Sequence, residues 1–173
     1  MEIDVIIRKD ILRDFLGYIF ECDASGAFLV SHSHPAGKLL CSLVEYTYKP
    51  VAPAAGASRL ILPSCRSLST ARGRFVYVSK ENQEKFNDYL EAIFDLDFNR
   101  FYMAGQRLGF RQKDVLYSYI NSRRLESAGQ DQEMLKKRGY RQSVRDMNAR
   151  CKKLANRVQY INRQIASDLK NIS

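Results

Sequence analysis

At Ser79 the spacing of apolar residues changes from short mixed runs to a helical period, and the chain keeps that period afterwards. This switch separates a segment that must pair strands from one that must pack helices. Before it, residues 2–8 (EIDVIIR) carry the β-branched side chains of a strand. Residues 9–20 (KDILRDFLGYIF) place Ile11, Leu12, Phe15, Leu16 and Phe20 near one helical face. DASG breaks the chain, AFLVSH reads as a second strand, and PAG turns it. KLLCSLVEYTY fits a helix or a strand equally well. KPVAPAAGAS, with two prolines, is a loop. RLILP and RFVYVS read as strands joined by SCRSLSTARG as a polar hairpin loop.

After the switch, Ser79 is the expected N-cap, with Glu81 in the first turn. KENQEKFNDYLEAIFD predicts a helix with Phe86, Tyr89, Leu90 and Ile93 on one side. FNRFYMAGQRLG predicts a second helix that stops at Gly109, and RQKDVLYSYINSRRL a third. SAGQDQ separates these from the tail, where Ser143 and Asp146 resemble a capping box. The expected fold is α+β: a small mixed β-rich N-terminal half and a helical C-terminal half ending in a long basic amphipathic helix. The expected divisions are 1–78, 79–130 and 131–173.

The charge is as uneven as the period. The chain carries 28 Lys and Arg against 19 Asp and Glu. From Leu135 onward there are 11 cations, two acids (Asp146 and Asp168) and no Glu, so 17 charges of each sign remain upstream. A neutral body thus carries a tail of net +9. Such segregation bears on partners rather than on fold. A cationic run of this kind repels itself unless an anion is near, and a polyphosphate backbone is the natural one. The expected phosphate contacts are Lys136, Lys137, Arg138, Arg141, Arg145, Lys152 and Lys153.

Through the same tail Val144, Met147, Cys151, Leu154, Val158, Ile161 and Ile165 recur in alternating steps of three and four. That is a heptad seam, through which two copies could pair as a homodimer, or which could fold back on the chain's own body. No run approaches the roughly 18 apolar residues that suggest a membrane helix, and a cytoplasmic protein of a bacterial host cell is expected. Cys22, Cys41, Cys65 and Cys151 lack C-x-x-C spacing, so a cysteine zinc site is not expected.

MAGQRLGFRQKDVLYSYI is similar to a helix-turn-helix unit. Ala104 and Gly105 are small, Gly109 follows four residues after Gly105, and Phe110 and Val115 fall at core positions. Ser118 sits where an apolar residue belongs, although Tyr119 or Ile120 could fill the place. The likeness implies that Arg111, Gln112 and Lys113 face a nucleic acid and contact bases, with Tyr117 beside them.

SHSHPAGKLLCSLVE raises a different chemistry. His32, His34, Pro35, Gly37 and Ser42 resemble the His-x-His-Pro motif of JAMM-type zinc hydrolases. That resemblance would make Glu45 the third ligand, where the family has Asp, and Glu2 or Glu21 the general base. The longer Glu stem suits a site with Zn–O near about 2.1 Å poorly. The sequence after Glu45 also departs from the family's helix and strands. A zinc hydrolase is therefore a minor alternative, and no cofactor, metal ligand or catalytic residue is expected. Finally, GKLLCSLVEY, FNDYLEAIFDLDFNRFYMAGQRLGFRQKDVLYSYI and LKKRGYR resemble small uncharacterised proteins of phages and mobile elements of gut bacteria. That resemblance implies a mobile-element setting and no catalytic chemistry. The expected function is binding of nucleic acid, most naturally DNA, by an accessory or regulatory protein; the alternative is a protein-interaction or assembly module.

Overall fold

A computed structural model describes residues 1–64, 74–127, 133, 135–141, 145, 149 and 152. The protein is α+β, with helices dominating its C-terminal half. It divides into two units, Met1–Asp131 and Gln132–Ser173. The first runs β1 (Glu2–Val5), α1 (Asp10–Ile19), β2 (Phe28–Leu29), α2 (Pro35–Ser42), β3 (Glu45–Thr47), β4 (Ser58–Ile61), β5 (Phe75–Tyr77), α3 (Lys80–Arg107) and α4 (Gln112–Arg123). In the second, the described residues are helical.

Among the described residues two small sheets form. One has the order β1-β4-β2, with β4 antiparallel to β1 and parallel to β2; the other pairs β3 with β5 antiparallel. Ile3 opposes Leu60 in the first, and both are buried with Val5. β4 and β5 therefore lie in different sheets, so the expected hairpin between RLILP and RFVYVS does not form. Most of the connecting SCRSLSTARG lies outside the described residues. The ambiguous KLLCSLVEYTY is both things in turn, helical to Ser42 and extended from Glu45.

The first strand was expected to reach Arg8 but ends at Val5. Beyond it the backbone pairs with side chains of α3 instead of another strand. Ile6 N–H donates to Gln83 Oε1 at 3.0 Å, Asn87 Nδ2 donates to the Ile6 carbonyl at 2.8 Å, and Arg8 N–H donates to Asn87 Oδ1 at 2.9 Å. Asn87 is buried, and its primary amide supplies the donor and acceptor a neighbouring strand would have offered.

The two helices expected over 80–95 and 98–109 are one helix of 28 residues. Nothing between Asp95 and Phe98 breaks it, because that stretch has neither Gly nor Pro. Its buried Phe86, Leu90, Phe94, Phe98 and Tyr102 recur every fourth residue. Four residues turn a helix by about 400°, so this stripe creeps about 40° per step and about 160° in all. One helix thereby serves several neighbours in sequence, packing against α2, α1 and α4. At the meeting of α1, α3 and α4 an aromatic cluster fills the core. Phe15 meets Phe94 edge-on at 5.2 Å between centroids, and Tyr119 meets Phe98 at 5.1 Å and Phe101 at 5.4 Å. Each buried ring of this size stabilises the fold by about 1.5–3 kcal/mol.

Candidate functional site

The paired histidines sit on the strand-to-helix connection after β2. His34 is the N-cap of α2, its Nδ1 accepting from Ala36 N–H at 3.1 Å. Pro35 follows at the first helical position, where its missing N–H costs nothing. PAG therefore opens a helix, where a simple turn was expected. Gly37 is required by close approach: a Cβ there would lie 2.1 Å from the Ser31 carbonyl oxygen. His34 also stands edge-on to Phe20, 5.9 Å between centroids, and burial pushes its pKa down. His32 Nε2 is buried and makes no hydrogen bond among the described residues.

Glu45 is committed elsewhere. Its carboxylate accepts from Ser79 Oγ, from Tyr77 Oη at 2.9 Å and from Asn82 Nδ2 at 2.9 Å. The Ser79 and Tyr77 hydroxyls hold its pKa below the usual carboxylate range. The Glu thus joins the N-terminus of α3 to the β3–β5 sheet. Ser42, the oxyanion candidate, donates to the Leu39 carbonyl of its own helix at 2.7 Å. His32, His34 and Glu45 do not assemble, and no group of three His, Cys, Asp or Glu among the described residues could hold a metal. The arrangement does not fit a zinc centre.

The helix-turn-helix candidate is the junction of α3 and α4. Gly109, with φ of +80°, stands just past the C-cap Leu108. Phe110 N–H donates to the Gly105 carbonyl and Gly109 N–H to that of Gln106, each at 3.1 Å, which is a Schellman motif. Such motifs commonly add an apolar contact between the residue two past the cap and one three positions before it. Here those positions are Phe110 and Gly105, and glycine has no side chain to offer. Val115 of α4 occupies that space, its methyl 2.6 Å from where a Gly105 Cβ would be. Phe110 was expected in the core; it is instead 58 % exposed. Val115 is buried as expected. Ser118 is exposed, and Tyr119 takes the core place, fully buried.

Arg111 is the N-cap residue of α4, and Gln112 and Lys113 begin its first turn. The three stand together, all exposed. Arg111 and Lys113 make no ion pair among the described residues. At the other end of α4 Arg124 takes the left-handed conformation, φ 52°, and closes the helix.

In the second unit Lys136, Lys137, Arg141, Arg145 and Lys152 are helical and exposed, and Arg138 is half-buried. Lys136 reaches Glu133, three residues earlier, at 3.1 Å. Within the continuous described run 135–141, Lys137 and Arg141 lie four residues apart, within about 40° of each other around the helix. Lys153 lies outside the described residues, as do Val144, Met147, Cys151, Leu154, Val158, Ile161 and Ile165, so the expected dimer seam does too.

What sequence reasoning missed is an apolar groove at the α3–α4 junction. Its volume is about 210 Å³, and it is lined chiefly by Phe101, Ala104, Gly105, Leu108, Phe110 and Val115. Gly105 and Gly109 stand out in the sequence as helix-turn-helix signals; Gly105 lines this groove. No helix among the described residues is long and apolar enough to cross a membrane. Comparison with protein-family models, curated proteins and solved structures gives no match.

Proposed function

We propose that this protein binds nucleic acid, duplex DNA foremost, as an accessory or regulatory factor whose contact surface is its basic tail. The observation that carries the reading is the set of exposed cations, spaced by four and seven residues, in the second unit. In the first, six cations meet carboxylates, Arg8 with Asp88, Lys9 with Glu91, Arg13 with Asp10, Arg59 with Glu2, Lys85 with Glu81 and Arg123 with Asp97, while Arg111 and Lys113 are exposed without an ion pair among the described residues. In the second, Lys137, Arg141, Arg145 and Lys152 are exposed at spacings that suit one helical face. A row of cations on one face is suited to a phosphate track. Arg111, Gln112 and Lys113, exposed together, have donors and acceptors suited to base edges. The heptad-spaced apolar residues of the tail would join two copies and double the basic surface.

The test is an electrophoretic shift with random-sequence duplex DNA over a range of salt. With about six phosphates neutralised, log K falls against log salt with a slope near about −5. Replacing Lys136, Lys137, Arg141 and Arg145 by Gln makes that slope shallower by about one for every phosphate no longer neutralised. Absence of binding at low salt overturns the reading.

A further inference from the structure

Past Val5 the outer edge of β1 is taken up by α3; before Val5 that edge is free. Leu62 N–H donates to the Met1 carbonyl at 2.7 Å, so Met1, Ile3 and Val5 turn their backbone groups toward β4. The alternation of the ladder then points the N–H and C=O of Glu2, Asp4 and Ile6 the other way. The Ile6 groups meet the amides of Gln83 and Asn87 there. Those of Glu2 and Asp4 have no hydrogen bond among the described residues. Beside them lies a cleft of about 220 Å³, lined by residues 2–4 of β1, by residues 76–78 at the end of β5 and by residues 51–54. Gln83 stands in the same lining and pairs with both sides. Its amide accepts from Ile6 N–H at 3.0 Å and donates to the Val78 carbonyl at 2.9 Å. One side chain thus does at this point what a strand between β1 and β5 would do along the rest.

Backbone and charge together select the occupant. A row of free N–H and C=O groups along a strand edge is matched by another extended backbone. Ile3 is buried on one face of β1, so Glu2 and Asp4 lie on the opposite face, where Arg59 is the cross-strand neighbour of Asp4. Arg59 reaches Glu2 at 3.9 Å, while Asp4 is half-buried and has no ion pair among the described residues. Two carboxylates against one guanidinium leave the charged lining net negative. A residue of an added strand that falls opposite Glu2 or Asp4 is therefore best Lys or Arg, and the residues between turn to the apolar face of Ile3. A second copy pairing through its own β1 would set these acids against each other, which is unfavourable. A polyphosphate would meet the same repulsion.

We infer that this cleft binds an extended segment of another protein, one in which Lys or Arg alternates with apolar residues, as a strand added to the free edge of β1. Main-chain hydrogen bonds supply affinity in such an addition, and the alternating side chains supply specificity. The site uses no residue of the basic tail, so the nucleic-acid reading and this one stand or fall separately.

The experiment uses the full chain and three fluorescein-labelled ten-residue peptides: alternating Lys and Val, alternating Glu and Val, and the Lys–Val sequence with its backbone nitrogens methylated. The chain carries net +9, so unspecific attraction favours the Glu–Val form. The expected result, read by fluorescence anisotropy, is saturable binding of the Lys–Val peptide. The Glu–Val and methylated peptides bind at least tenfold more weakly. Asp4→Pro removes an N–H that faces the cleft and none that faces β4, a place where an edge strand tolerates proline; it weakens binding at least tenfold. Glu2→Lys with Asp4→Lys reverses the preference toward the Glu–Val peptide and keeps the test intact should the proline variant fail to fold, which thermal melting followed by circular dichroism decides. Replacing Lys136, Lys137, Arg141 and Arg145 by Gln leaves peptide binding unchanged. The inference is overturned if the Lys–Val peptide does not bind, if the methylated or Glu–Val peptide binds as well, or if the folded variants bind like the parent. A dimer in sedimentation that Asp4→Pro dissolves assigns the edge to a second copy and also overturns it.

Discussion

Arg123 and Asp97 form a two-pronged pair between the last turn of α4 and the middle of α3. Nε donates to Oδ2 at 3.0 Å and Nη2 to Oδ1 at 3.1 Å. The guanidinium plane also lies 4.5 Å from the Tyr18 ring centroid, 5.3 Å from Phe101 and 5.4 Å from Tyr119. One side chain thus ties α1, α3 and α4 together, at 16 % side-chain exposure. The Tyr119 phenol is kept protonated beneath it, by burial first and by the Asp97 carboxylate second.

Lysine cannot replace this arginine. A Lys at 123 keeps one charge but loses the fork and the flat face that stacks. Arg123→Lys is expected to lower unfolding stability by about 1–3 kcal/mol, read by urea denaturation. In a double-mutant cycle with Asp97→Asn the coupling should exceed about 0.5 kcal/mol. Additive effects would show that the pair contributes nothing beyond its separate side chains.

Asn87 substitutes for a strand, and its variants should behave accordingly. Asn87→Ala leaves the Ile6 carbonyl and the Arg8 N–H without their partner and should cost about 2–4 kcal/mol. Asn87→Asp keeps the acceptor for Arg8 but sets a carboxylate against the carbonyls of Ile6 and Gln83. Its protonated form can donate, so the folded Asp takes up a proton more readily than the unfolded one. The Asp variant should therefore gain stability relative to Asn as pH falls from 7 to about 4. A deficit that stays constant with pH refutes this account.

His34 caps α2 only while its ring is neutral. Its folded pKa lies below the ordinary histidine value because of burial, so the unfolded chain protonates first as pH falls. The contribution is complete above about pH 6.5 and is lost progressively below it, toward the lower folded value. A protonated ring would also oppose the positive end of the helix dipole. His34→Asn, which caps without titrating, should flatten the change in stability between pH 7.5 and 5 relative to the parent. His34→Ala should cost about 1 kcal/mol at pH 7.5. Denaturation midpoints across that range decide; an Asn variant with the parent's pH dependence would remove His34 as the cause.

The two close-packed glycines should respond differently. At Gly37 an added methyl meets the Ser31 backbone, which cannot step aside, and Gly37→Ala should cost about 2–4 kcal/mol. At Gly105 it meets the end of a side chain. Gly105→Ala should cost about 1–3 kcal/mol, with part of the loss recovered in combination with Val115→Ala. Thermal melts of the single and double variants measure both; absence of recovery at 105 would mean that the helices themselves are held apart.

Where local pattern determined the outcome, the sequence could be read directly. Ile11, Leu12, Phe15 and Leu16 mark the buried face of α1, Ser79 the start of α3 and Gly109 its end. Tyr119 filled the place that Ser118 could not, because a rotation of about 100° brings the next residue to the same face. Other features depend on what lies opposite in space. β1 stops at Val5 because its next partner is an amide on a helix some 80 residues later. β4 and β5 look like a hairpin in sequence yet choose different partners. Phe110 is bared by the lack of a side chain at Gly105, a consequence that apolar spacing alone does not express.

The creeping stripe of α3 fixes the chain's permissible lengths. One residue inserted at exposed Leu96 would rotate everything beyond it by about 100° and advance it by 1.5 Å. Phe98, Tyr102 and the whole of α4 would swing away from Phe15, Phe94 and Tyr18, and no side-chain adjustment could bring them back. The long helix thus acts as a timing shaft, keyed at both ends, whose pitch forbids single-residue indels. Natural variation in size should gather in the connections, above all around KPVAPAAGAS, where added residues leave the phase untouched.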